Sequence, residues 1–191
     1  MEQDYLNDVK KQFSYYKKLG EKAMSQLPEE EKLFWQFNEE SNSIATIVKH
    51  LRGNMLSRWT DFLSSDGEKQ WRNRDSEFIN DSRSKEELMN YWNEGWKCLF
   101  DALDTLTAAD LGKEIFIRNM GQTVMEAISR QLTHYSYHVG QIVFIAKMVC
   151  NTSWNSLTIP KGNSAEYNIA RFEKQKHTEN FMDKYLKNEK K

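Results

Sequence analysis

Proline is nearly missing from this chain, with two in 191 residues, and glycine is held to eight. Both break helices, so their scarcity leaves room for long uninterrupted helical runs and excludes a loop-dominated fold. Two cysteines, Cys98 and Cys150, are too few for a disulfide framework. Reduced thiols in a cytoplasmic protein are the expectation. Charge of one sign is lacking too. Lys and Arg number 27 against 28 Asp and Glu, a net charge of −1, which gives no electrostatic reason to expect a nucleic-acid partner. Lys190 and Lys191 form a basic tip too short to change that reading. No apolar run reaches the length of a membrane span. The most apolar stretch, Ile142 to Cys150, is interrupted by Lys147. Met1 leads into the polar Glu2-Gln3-Asp4, so no signal peptide is expected. Phosphate-cradling glycine loops and a G-x-S-x-G elbow are absent.

What is present is aromatic bulk on a polar chain. Six Trp and ten Phe coexist with a mean hydropathy of −0.81, which fits amphipathic helices with aromatic inner faces and charged outer ones. The length fits one domain spanning residues 1–191. Four long helices can be read from the spacing. The first runs from about Tyr5 to Leu27 on Leu6, Val9, Phe13, Tyr16, Ala23 and Met24, and stops before Pro28. The second starts at Ser41 or Ser43 and runs to about Leu63, with Ile44, Val48, Leu51, Met55 and Phe62 as its apolar stripe. The polar line Ile47, His50, Asn54, Ser57, Asp61 runs beside that stripe. Residues 65–81 read as polar and irregular, with Asp66-Gly67 as a turn. The third helix opens on the capping box Ser84-Lys85-Glu86-Glu87, and Leu88, Tyr91, Trp92, Trp96, Leu99, Leu103 and Leu106 carry its apolar face. Ile115 to Gly121 reads as a short hairpin or an extended crossover. The fourth helix runs from about Thr123 to Val149 on the apolar stripe Val124, Ile128, Leu132, Tyr135, Val139, Ile142 and Ala146, and Ala127, Gln131, His134, His138, Gln141 and Ile145 line its edge. After Cys150 comes a loop, residues 151–163, with a turn at Ile159-Pro160-Lys161-Gly162. Ser164 and Thr178 are candidate caps of two short helices.

Histidine carries the chemistry. His134 and His138 are four residues apart, so both project from one helix face. His50, from the second helix, could complete three corners of a transition-metal site and leave one position open, as in catalytic zinc centres. A metal held by neutral imidazoles keeps its full charge and can acidify a bound water or thiol. Spacing alone is a weak signal, and a buried histidine bonded to a neighbouring hydroxyl is the ordinary alternative. Asn54 lies one turn beyond His50 and Gln141 one turn beyond His138. Either could hold substrate or orient water, or be an ordinary interior amide. Arg72, Arg74, Arg83 and Arg171 could bind an anion but read first as surface residues. Cys98 reads as a small buried side chain, and His177 as a solvated bystander.

The segments Ser43-Ile-Ala-Thr-Ile-Val-Lys-His50-Leu-Arg-Gly-Asn54 and His134-Tyr-Ser-Tyr-His138-Val-Gly-Gln141-Ile resemble the DinB/YfiT-like metalloproteins, closest to a Bacillus-type branch of uncharacterised members. The stretch Ser156 to Gly162 also matches that branch, and the resemblance covers about residues 5 to 170. It implies an all-α, up-down-down-up four-helix bundle with an irregular crossover and short C-terminal helices. It implies a divalent metal, zinc or nickel, held by His50, His134 and His138, and a homodimer. Some members of that superfamily transfer low-molecular-weight thiols such as bacillithiol to small electrophiles, and others are thiol-dependent isomerases. The resemblance therefore implies a small-molecule substrate and a thiol S-transferase. A metal-dependent hydrolase and a non-enzymatic metal- or ligand-binding stress protein remain the alternatives.

Overall fold

The computed structural model describes residues 2–82, 84–150 and 154–186, with the side chain of Glu2 excepted. Arg83, Lys190 and Lys191 lie outside the described residues. The chain is an all-α bundle of four long helices: α1 (Glu2–Ser25), α2 (Ile44–Trp59), α3 (Lys85–Thr105) and α4 (Val124–Cys150). A two-stranded hairpin, β1 (Glu114–Ile117) and β2 (Met120–Thr123), stands between α3 and α4. Two short helices, α5 (Ser164–Phe172) and α6 (Asp183–Leu186), follow. Helix α1 packs chiefly on α4 and α2 on α3, and α2 also meets α4 across the core. Among the described residues no helix is long and apolar enough to cross a membrane.

Each boundary has a local cause. Ser43 caps α2 by accepting from the Thr46 backbone N–H at 3.0 Å, and Ser84 caps α3 by accepting from Glu87 N–H at 3.1 Å. Thr123 and Glu126 form a reciprocal capping box on α4. Glu126 accepts from Thr123 N–H at 2.7 Å and Thr123 Oγ1 accepts from Glu126 N–H at 3.2 Å. Helix α2 ends at Trp59, earlier than the apolar pattern suggests, because the chain turns sharply at Asp61, which takes a left-handed conformation with φ 49°. Phe62 still reaches the core from beyond the helix end. Ser164 is the first residue of α5 rather than its cap, which is Asn163. Thr178 caps nothing, since the last helix begins at Asp183.

The region between Ile115 and Gly121 is a hairpin. Its turn residues Arg118 and Asn119 both have positive φ (56° and 60°), the conformation that matches strand twist in tight antiparallel turns. The Asp66 carboxylate accepts from both turn N–H groups, at 2.9 and 2.8 Å, and Gly67 N–H donates to the Phe116 carbonyl at 2.8 Å. The long connection between α2 and α3 is thereby docked on the hairpin. The core is aromatic at its centre: Phe13, Trp59, Trp96 and Tyr135 meet edge to face or tilted, with ring centroids 5.9–6.4 Å apart.

Candidate metal centre

Helix α2 turns the line His50, Asn54, Ser57 inward, and all three are buried. Helix α4 turns Gln131, His134 and His138 toward the same place. The three imidazoles meet nitrogen to nitrogen. His134 Nε2 is 3.3 Å from His50 Nε2 and 3.1 Å from His138 Nε2, and one ligand atom from each ring lies within 4.8 Å of the others. A tetrahedral ion with imidazole bonds of about 2.0–2.1 Å places neighbouring ligand nitrogens roughly 3.3–3.4 Å apart. The three histidines therefore fit a divalent metal ion.

The far sides of two rings are fixed. His50 Nδ1 donates to Glu77 Oε2 at 2.9 Å, and His138 Nδ1 donates to Gln141 Oε1 at 2.8 Å. The Gln141 amide is held in that sense because its Nε2 donates to the Tyr137 hydroxyl at 3.0 Å. With each Nδ1 carrying the proton, each Nε2 turns a lone pair to the centre, the tautomer a metal ligand needs. Burial, then the neighbouring His138 and His50, push His134 down to about 3. Burial likewise takes His138 down to about 4, against an opposing bond from Gln141. Both rings are neutral at pH 7, as ligation requires.

Glu77 comes from the 3₁₀ turn Asp75–Phe78, in the stretch read from sequence only as irregular. It is buried, and burial alone would raise its carboxyl. Bonds from His50 and Arg72, with the Arg72 charge, outweigh burial and hold it below the usual range. Arg72 grips both oxygens, Nε to Oε1 at 2.8 Å and Nη2 to Oε2 at 2.9 Å, the bidentate fork that suits a buried carboxylate. The Arg72 side chain is thus held within this network and not spread over the surface: it is 2% exposed. Glu68 extends the network to Arg72, Arg58 and Arg118 at 3.3, 3.0 and 3.2 Å. Gly53 makes this possible, because a Cβ there would stand 2.1 Å from Glu77 Oε1. A glycine inside a helix, three residues past His50, was the one sequence signal for that close approach. Nothing in the pattern singled out Glu77 itself.

A cavity of about 600 Å³ opens beside the histidines, bordered also by Asn54, Phe78, Gln131 and Tyr137. Asn54 touches it, but its Oδ1 accepts from the buried Tyr135 hydroxyl at 3.0 Å, which in turn accepts from Trp59 Nε1 at 3.0 Å. Gln141 does not border this cavity. It stands behind His138, and faces an apolar groove with Phe37 and Phe144. Neither cysteine borders the cavity: Cys98 lies near Thr60 and Cys150 donates to the Gln26 carbonyl. Burial raises both thiols. From the loop after α4, residues 154–163 do not border it either, and Asn155 is tied to Gln26 at the end of α1. His177 is exposed and bonds within its own segment, to Gln175 and Glu179.

Fold and site together define a helical bundle with a three-histidine cluster able to hold a metal. The chain belongs to the family described as "Protein of unknown function (DUF1572)", whose model matches residues 1–163. That span contains all three histidines and Glu77. No curated protein matches the chain, and no solved structure does.

Proposed function

We propose that this protein is a metal-dependent enzyme of the DinB/YfiT-like kind, in which His50, His134 and His138 hold zinc or nickel and a low-molecular-weight thiol of the bacillithiol type is transferred to a small electrophile. The observation that carries the reading is the convergence of three imidazoles on the wall of an open cavity, with His134 Nε2 3.3 Å from His50 Nε2 and 3.1 Å from His138 Nε2. The metal, when bound, supplies a Lewis acid that lowers the pKa of a thiol or water on its open side. The chain's own residues do the rest. Glu77 and Gln141 fix the two imidazoles so that little ordering remains on binding. The cavity walls hold the substrate beside the site and raise its effective concentration. Neither Cys98 nor Cys150 reaches the cavity, so a reacting thiol comes from outside.

The test is a cobalt-substituted protein titrated with low-molecular-weight thiols and then offered electrophiles. A thiol-to-cobalt charge-transfer band, followed by thiol consumption that the His50→Ala variant does not support, is the expected result. Turnover of ester or amide substrates with no thiol present would replace this reading with hydrolysis. Neither response, with cobalt bound, would leave a metal-binding protein without this chemistry.

A further inference from the structure

The cavity beside the histidines is lined by arginine in a chain that is nearly neutral. Arg58, Arg72, Arg74, Arg118 and Arg130 border it, and no carboxylate among the described residues does. Glu68 and Glu77 compensate Arg58, Arg72 and Arg118 from behind the wall. Arg74 and Arg130 have no carboxylate partner among the described residues. Arg74 lies over the Phe78 ring at 4.9 Å, and that ring packs on His50 with centroids 5.0 Å apart. Arg130 precedes His134 by one helical turn, so it shares the ligand face of α4. Two buried polar atoms on cavity-lining residues also lack a partner: Nε of Arg58 and Oε1 of Gln131, on residues 7% and 4% exposed.

Uncompensated guanidinium groups around a cation site repel one another and the ion, and a negative group entering the cavity offsets that repulsion. Guanidinium forks match the paired oxygens of a carboxylate or phosphate. A nucleic acid would call for an extended basic stripe, whereas this charge is gathered in one small concavity. We propose that the small molecule bound here is an anion, whose carboxylate or phosphate group is held by Arg74 and Arg130 while its reactive end faces the histidine cluster. The placement of the reactive end rests on the metal-enzyme reading, but recognition of the anion does not.

The experiment is calorimetric titration of the zinc-loaded protein with succinate, inorganic phosphate and uncharged acetamide. It is repeated on the Arg74→Gln/Arg130→Gln variant and on metal-free protein, with zinc content measured in each sample. Both substituted positions are exposed, so the fold is expected to survive, and circular dichroism checks it. The expected result is that at least one anion binds, acetamide does not, and the variant binds that anion roughly tenfold or more weakly with its zinc unchanged. No binding of either anion, equal binding of acetamide, or unchanged affinity in the folded variant would overturn the proposal. Failure of the metal reading looks different: zinc is not retained, yet the metal-free protein still binds the anion through its arginines.

Discussion

At the scale of single residues, the site depends on groups that never face its centre. Gln141 is outside the cavity, and its part is to hold the Nδ1 proton of His138 and so aim Nε2. Gln141→Ala should weaken zinc affinity about 10-fold, the usual effect of losing a ligand's outer partner. The same change should cost only about 1 kcal/mol of stability, since the residue is half-buried and water can replace it. Competition with a chromophoric chelator and a chemical melt measure the two quantities separately. Gly53 is a sharper case because two effects oppose. Alanine inside a helix is favoured over glycine by about 1 kcal/mol. The added Cβ, however, would collide with Oε1 of the Glu77 carboxylate, which Arg72 holds at Oε1 and His50 at Oε2 and which cannot simply swing away. Gly53→Ala should therefore lose metal affinity by at least 10-fold with no gain in thermal stability. A variant that gains stability and keeps its affinity would show that Glu77 does not orient His50.

Among the elements, the connection between α2 and α3 does the most to complete the site. It delivers Glu77, Arg72 and Arg74, and it is anchored to the hairpin through Asp66. Asp66→Ala removes the acceptor for two turn N–H groups and should cost about 1–3 kcal/mol, read as a lowered denaturation midpoint. Glu68 ties the connection to Arg58 and Arg118. Burial would raise its carboxyl, but the bond from Arg58 and the charges of Arg72, Arg58 and Arg118 bring it below the usual value of 4.5. A carboxylate with a depressed folded pKa contributes stability above its unfolded pKa and loses it as pH falls through the folded one. Glu68→Gln should thus lower stability at pH 7 and flatten the acid limb below about pH 4.5. The effect should be about 1 kcal/mol, because Glu68 keeps solvent contact and its pairs are screened. Melts across pH 3 to 7 test both parts. This connection was also the least legible part of the sequence. Its elements are short and polar, with no periodicity to read, and they are ordered by a carboxylate and a glycine meeting a hairpin distant in sequence. The long helices were legible for the opposite reason: Leu6, Val9 and Phe13, or Leu88, Trp92 and Trp96, declare a face by spacing alone. The end of α2 was misplaced because Phe62 keeps the apolar period after the helix has stopped.

Over the whole molecule, two helices that barely signal their relation in sequence are clamped around one polar centre inside an aromatic core. Tyr135 joins them, donating to Asn54 and accepting from Trp59 of α2 beside the histidine cluster. Its burial was readable from the α4 stripe, but its partners were not, since the pairing of α2 with α4 follows from packing and not from either pattern. Tyr135→Phe would leave the Trp59 N–H and Asn54 carbonyl unpaired in the core and should cost about 1–3 kcal/mol. The three histidines were legible as residue types on two helical faces, while their convergence at 3.1–3.3 Å required the fold. That convergence is tested most directly by elemental analysis of untagged protein beside the His134→Ala/His138→Ala variant. About one equivalent of a divalent transition metal in the native protein, lost from a variant that stays folded, is the predicted result. Metal absent from both after incubation with zinc and nickel, or retained equally by the variant, would contradict it.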